Sequence, residues 1–224
     1  MKNTKEKILV FGASDYTRYT IDVLEKQNEY EIIGILDYNN RKDDIFCGYQ
    51  ILGNDNDLPE IYKNTGIKKG IVTIGDNYRR KEVVERILGY IPDFTFVSAI
   101  HPSIILGNNA RIGKGCAVMA GVILNNDTIV GDHCYIGTNS SLDHDGIVGD
   151  FSNVMPGVTT GGNVSIGFCS TLALGSKVIH GRTIGDHTVI GAGSLVVKDF
   201  GNNILAFGVP AKKIRDRKIG EKYL

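Results

Sequence analysis

A period of six dominates this chain. Every sixth position from Leu106, through Ile112, Val118 and Leu124, on to Val196 gives sixteen residues, of which fifteen are aliphatic and only Thr160 departs. Glycine often follows the aliphatic residue, as at Gly107, Gly113, Gly131, Gly149 and Gly167, and a small side chain sits four places after it, as at Cys116, Cys134, Ser152 and Ser170. Such a hexapeptide repeat is the signature of a parallel β-helix. Three hexapeptides make one triangular coil: the aliphatic residue fills the axis and the small one lets the chain turn a corner. Residues 18 apart then stack at about the strand spacing of 4.8 Å, and the repeat predicts about five coils. The repeat also accounts for 28 glycines in 224 residues, above the usual share of about 7%. Cys116 and Cys134 should stack at an inward corner, where two reduced thiols fit as small apolar groups.

Residues 1–98 follow a different grammar. Strand-like runs at 7–14, 30–38, 69–77 and 94–100 alternate with helical patterns at 18–27, 57–66 and 78–90. That alternation predicts a small Rossmann-like parallel sheet with right-handed crossovers and a ligand site at the carboxyl ends of its strands. The grammar changes at "HPS" (101–103), so the expected division is 1–98 and 99–224. A β-helix has open ends and flat sides that need caps or partners. The front domain is expected to cover one end and the tail after "FGVPAKKI" (207–214) the other, and the flat sides suggest association about a threefold axis.

Lys and Arg total 25 and balance 25 Asp and Glu, so no global field recruits nucleic acid or an anionic membrane. The basic stretch "KKIRDRK" (212–218) is expected to be a solvated terminal helix. No apolar run approaches the roughly 20 residues of a membrane span, and the charged start does not resemble a signal peptide. Four cysteines without CxxC spacing suit a cytoplasmic protein with reduced thiols.

The stretch "SSLDHDGIVGDF" (140–151) sets one histidine between two aspartates. His144 lies two places after the axial Leu142, so its coil equivalents are Asn126, Gly162 and His180. Packing does not demand a histidine there; it faces solvent or a neighbouring subunit. Near pH 7 a neutral imidazole can take a proton, so His144 is either a working base or a solvated histidine beside two acids. His101 falls in the hinge, and His133, His180 and His187 are expected at surface corners. In the front domain "GASDYT" (12–17) keeps Gly12 but is no GxGxxG, which argues against a dinucleotide hydride enzyme. Asp37 closes the second strand, where an acid can bond a ribose hydroxyl or a base edge.

Together with "VFGAS" (10–14), "LDY" (36–38), "IGDNYRRK" (74–81), "IHPS" (100–103), "GGNVSIG" (161–167) and "GVPAK" (208–212), these features resemble the left-handed β-helix sugar acetyltransferases with a nucleotide-sugar-binding front domain. Members include the bacillosamine and perosamine N-acetyltransferases and the sialic acid O-acetyltransferases. The resemblance implies a left-handed coil, a homotrimer with active sites between subunits, and acetyl-CoA as acyl donor without a metal. It implies His144 as general base, Asp145 as its acidic partner in preference to Asp143, and the Gly162 N–H as donor to the thioester oxygen. Acetyl-CoA would pass Leu174 and Ala192 toward Gly208, Pro210 and Lys212 (or Lys213). The nucleotide sugar would meet Gly12, Ala13, Ser14, Asp37, Gly75, Asn77, Arg80 and Asn153.

Two positions depart from the family pattern. Asp15-Tyr16-Thr17 replaces the usual glycine and histidine, and an acid there would repel a diphosphate unless it turns outward. Asn153 stands where many relatives carry histidine and cannot carry a proton. The function so implied is N-acetylation of a nucleotide-linked 4-amino-4,6-dideoxy sugar in cell-surface glycan synthesis. Alternatives are O-acetylation of a sialic acid or another sugar hydroxyl, and a non-catalytic nucleotide-sugar sensor. A β-helix carbonic anhydrase is excluded by the lack of a suitably spaced histidine set.

Overall fold

The computed structural model describes residues 5–39 and 41–222. The front part contains β1 (Glu6–Phe11), α1 (Asp15–Gln27), β2 (Tyr30–Leu36), β3 (Ile45–Phe46), β4 (Tyr49–Gly53), α2 (Leu58–Thr65), β5 (Lys69–Val72), α3 (Asn77–Tyr90) and β6 (Thr95–Phe96). Its sheet runs in the order β3-β4-β2-β1-β5-β6 and is parallel apart from the β3–β4 hairpin. That hairpin is not evident from the residue pattern, because its strands are short and carry little alternation.

Strand β1 shows why the sheet is covered on both faces. Ile8 and Val10 pack into one core with Ile21 and Leu24 of α1, while Leu9 and Phe11 pack into another with Val84 and Ile87 of α3. Successive side chains of a strand point to opposite faces, and a parallel sheet buries both. Residues 94–100 are not one strand. Thr95–Phe96 ends the front sheet, and Ala99–Ile100 begins the coil.

The rest is a left-handed β-helix with three parallel faces of two-residue strands. The first face runs from Ala99–Ile100 to Val189–Ile190, the second from Ile105–Leu106 to Leu195–Val196, and the third from Arg111–Ile112 to Thr183–Ile184. Pairs such as Ala117↔Tyr135 and Leu124↔Leu142 lie 18 residues apart, so coil stacking follows directly from the period. Val118, Leu124, Val130, Ile136, Leu142, Val148 and their successors are buried along the axis; each such side chain contributes roughly 1.5–3 kcal/mol of burial. Cys116 and Cys134 are buried free thiols, and Cys134 N–H donates to Cys116 Sγ at 3.4 Å.

Three expectations are corrected. The tail is a strand, not a helix: Ala211–Asp216 pairs antiparallel with Ile204–Gly208, and this hairpin extends the first face beyond Val189–Ile190. Backbone pairing at the sheet edge decides the conformation there. The front domain does not cover an end of the prism but packs on its first face, through α1, Val97, Ala99, Ala117, Met119 and Tyr135. The axial Leu106 of the first coil therefore remains 50% exposed. Finally, His133 is not at the surface but only 3% exposed. It stacks on Phe151 at 4.9 Å and meets Phe96 edge-on at 4.7 Å, and burial pushes its pKa down to about 4.

Candidate active site

His144 sits at the corner between Ser141–Leu142 of the second face and Ile147–Val148 of the third. Asp145 is left-handed at φ 56°, a conformation aspartate tolerates better than most residues. Asp145 Oδ2 lies 2.7 Å from His144 Nδ1, and Nε2 is the ring atom nearest Gly162 of the next coil. This hydrogen bond, more than any other contact, raises the imidazole pKa. Asp143 acts on the backbone instead: its Oδ1 accepts the His144 N–H and the Asn125 side-chain amide, both at 2.9 Å. Those two donors hold its carboxyl below the usual range, the His144 N–H most strongly.

Thr160, the one break in the aliphatic series, stacks on Leu142 from the next coil. Its hydroxyl accepts the Asp143 N–H at 3.3 Å while the side chain remains in the buried axis. The sequence signal was the break itself; only the fold gives it a partner.

One coil above His144 lies Gly162. A Cβ built there would fall 2.4 Å from His144 Nε2 and 2.5 Å from Cε1, so only glycine leaves the imidazole its place. Among the described residues, nothing accepts the Gly162 N–H. The corner thus presents an aspartate-oriented imidazole beneath a backbone donor, able to take a proton from one atom while an adjacent atom gains negative charge. His180, one coil further, places its ring centroid 5.9 Å from that of His144.

The front domain holds a cavity of about 280 Å³ at the carboxyl ends of β1, β2 and β5, lined by Gly12, Ala13, Ser14, Asp37, Gly75 and Arg79 among others. Gly12, at φ 114°, passes so close to Thr73 that a Cβ would lie 2.9 Å from its carbonyl oxygen. The Gly12–Ser14 loop leads into the N-terminus of α1, a setting that favours phosphate. Asp15 turns outward to Arg18 at 3.4 Å, with its side chain 90% exposed, so it does not oppose an anion in the cavity. Asp37 lines the cavity and also clamps its loops, accepting Ala13 N–H at 2.9 Å and Asn39 N–H at 2.8 Å.

Asn77, Arg80 and Asn153 lie in the seam between the two parts. Arg80 is 1% exposed. Its Nε donates to the His133 carbonyl at 2.9 Å, and its terminal nitrogens to Ile74 O and Asn153 Oδ1, both at 2.7 Å. Asn153 Nδ2 donates to Gly75 O at 3.0 Å and Asn77 Nδ2 to Cys169 O at 2.8 Å. Arg80 and Asn77 therefore join the two parts and do not line the cavity. Asn153, with Tyr16, Tyr19, Gly75, Tyr135 and Met155, borders a smaller cleft that shares Gly75 with it.

Leu174 (58% exposed) and Ala192 lie at the corner between the first and second faces, with Pro210 and Lys212 exposed on the terminal hairpin and Gly208 half-buried. Lys213 pairs with Asp216 at 2.6 Å. One chain therefore does not bring His144 together with these residues or with the front cavity: they occupy different sides of the prism. Among the described residues no group of three or more His, Cys, Asp or Glu is placed to hold a metal, and no helix is long and apolar enough to cross a membrane.

Two family models match: the PglD N-terminal domain over residues 7–87 and the bacterial transferase hexapeptide over residues 109–144. PerB of Caulobacter crescentus, solved with CoA and GDP-perosamine, is 34% identical with a TM-score of 0.87, and the alignment covers 95% of this chain and 99% of that one. The acetyltransferase domain of PglB from Neisseria gonorrhoeae, solved with acetyl coenzyme A, shares the fold at 24% identity and a TM-score of 0.82, over 94% of this chain and all of that one. The galactoside O-acetyltransferase of Escherichia coli is 44% identical over 68 residues, a stretch that spans only 30% of this chain and 30% of that protein. With a full-length relative at this identity and both parts of the chain matched, the protein is an acetyltransferase and belongs to the left-handed β-helix sugar acetyltransferases with a PglD-type N-terminal domain.

Proposed function

We propose that the protein transfers an acetyl group from acetyl-CoA to the 4-amino group of a nucleotide-linked 4-amino-4,6-dideoxy sugar, in cell-surface glycan synthesis. The observation that carries the proposal is the corner at His144: an imidazole oriented by Asp145 at 2.7 Å, lying beneath a glycine whose N–H has no acceptor among the described residues. Acetyl-CoA supplies the acyl group as a thioester. His144 Nε2 takes the proton that the amine sheds as its nitrogen bonds the acetyl carbon, Asp145 holds the tautomer and stabilises the imidazolium, and the C–S bond then breaks so that CoA leaves as the thiol carrying that proton. Gly162 N–H donates to the oxygen that gains charge. In this reading the amine attacks the thioester directly, without a covalent acyl-enzyme.

Residues 1–98 serve as the nucleotide-sugar-binding unit and 99–224 as the transfer unit. The Gly12–Ser14 loop and Arg79 would hold the diphosphate, and Asn153 would border the path of the sugar beside Gly75. The site is completed by a second copy. His144, the Leu174–Ala192 corner and the front cavity lie on different sides of one prism, and threefold association would set the His144 corner of one protomer against the Leu174 corner of the next. Acetyl-CoA would lie in that groove, with Pro210 shaping its path and Lys212 free to meet phosphate. The buried thiols Cys116, Cys134 and Cys169 suit a reducing cytoplasm.

The galactoside O-acetyltransferase match favours a hydroxyl acceptor as second reading, but it covers only 68 residues, whereas the PerB match extends through the front domain. The test is thiol release from acetyl-CoA with UDP-, dTDP- and GDP-linked 4-amino sugars, with His144→Ala alongside. Turnover on one amine that collapses in the variant is expected. Thiol release only with a sugar hydroxyl moves the acceptor to oxygen, and full activity of His144→Ala removes the base. Sedimentation equilibrium tests the assembly, since an active monomer is incompatible with a shared site.

A further inference from the structure

Gly162 owes its unoccupied N–H to the residue one coil above it. The backbone N–H two places after an axial residue is taken by the side chain one coil on whenever that residue is Asn or Asp. Asn108 N–H donates to Asn126 Oδ1 at 3.1 Å, Lys114 to Asp132 at 2.9 Å, Asp132 to Asp150 at 2.7 Å and Phe168 to Asp186 at 2.7 Å. Asp186 N–H repeats the contact with Asn202 Oδ1 at 2.8 Å in the shorter last coil. Where the residue above is His144, Phe168, His180 or Lys198, the N–H beneath it (Asn126, Asp150, Gly162 or His180) finds no acceptor among the described residues. A short carboxylate or amide at this corner closes the donor below; an imidazole, a ring or a lysine leaves it open. Of these open donors, only the one at Gly162 has the His144 Nε2 lying where its Cβ would be.

We propose that His180 is a positioning residue that keeps the Gly162 N–H available to the reacting acyl oxygen, because its imidazole does not cap that donor as Asn or Asp does elsewhere in the coil. The inference rests on the reading of Gly162 as the oxyanion donor, and it assigns the open donor to the residue type at 180. Its ring, 5.9 Å from that of His144, walls the same space from above.

The test compares His180→Asn with His180→Ala in the full chain. Kinetics with acetyl-CoA and GDP-perosamine are measured beside a crystal structure of His180→Asn. Asparagine is neutral and already serves as the cap at Asn126 and Asn202, so it adds an acceptor without adding charge. The expected structure has the new amide oxygen about 3 Å from Gly162 N. The expected kcat of His180→Asn is roughly 10²-fold or more below that of His180→Ala, with KM for the nucleotide sugar little changed, as for loss of one oxyanion donor. An Asn oxygen that does not bond Gly162 overturns the inference and leaves the Gly162 reading untouched. A formed bond with equal kcat in the two variants overturns the Gly162 reading instead. Equal losses in both variants without the bond assign His180 a role through its own ring and also overturn the inference.

Discussion

Substituting Gly162 by alanine separates the chemistry of the corner from its stability. The backbone at Gly162 is not left-handed, so alanine fits its conformation, and removing glycine should stabilise the fold by about 0.4–1 kcal/mol through the unfolded chain. The nearest atoms to the new methyl all belong to the His144 ring, at 2.4, 2.5 and 2.8 Å. Ordinary contact needs about 3.5–4.0 Å, so the ring must retreat by roughly 1 Å. The side chain is 48% exposed and can swing outward, so the cost in stability is small. That swing breaks the 2.7 Å contact with Asp145 and carries Nε2 away from the Gly162 N–H. A displacement of about 1 Å in a catalytic group lowers the rate by about 10²-fold. Gly162→Ala is therefore expected to melt at or slightly above the wild-type temperature while kcat, followed by thiol release, falls by about two orders of magnitude. Turnover at the wild-type rate would refute the placement of the reaction over Gly162.

Three further outcomes follow from the same contacts. Asp145→Asn weakens the interaction that raises the His144 pKa; since the base must be neutral, the acid limb of the kcat/KM profile should move to lower pH, with a reduced maximum. Arg80→Met leaves the carbonyls of His133 and Ile74 and the amide of Asn153 without their buried donor, and denaturant unfolding should show a loss of about 2–4 kcal/mol. His133 is held neutral when folded, with its pKa lowered from 6.5 to about 4. The unfolded chain therefore binds the extra proton, and stability drains as pH falls from about 6.5 toward 4, by at most about 3 kcal/mol; His133→Phe should flatten that dependence in melts between pH 7 and 4.

The sequence by itself determined the coil. Its period brings residue i+18 over residue i, so the axis, the inward cysteines and the stacking of His144 beneath Gly162 follow from counting along the chain. The alternation in the first 98 residues likewise announced a parallel sheet, and the resemblance pointed to Asp145, whose contact with His144 is local. What only the tertiary structure decided depends on contacts between segments that no period relates. Arg80 reaches His133 across 53 residues and Asn153 across 73, and Asn77 reaches Cys169 across 92; those bonds place both side chains in the seam between the two parts and not in the lining of the front cavity. The front domain lies on a side and not an end because the outward residues of the first face, such as Ala117 and Tyr135, match α1 in shape; shape complementarity leaves no periodic trace. The tail became a strand because an open sheet edge offered it partners, against its helix-like charge pattern. Thr160 shows the limit between the two: its departure is plain in the sequence, and its purpose needs the Asp143 N–H that the fold places against its hydroxyl.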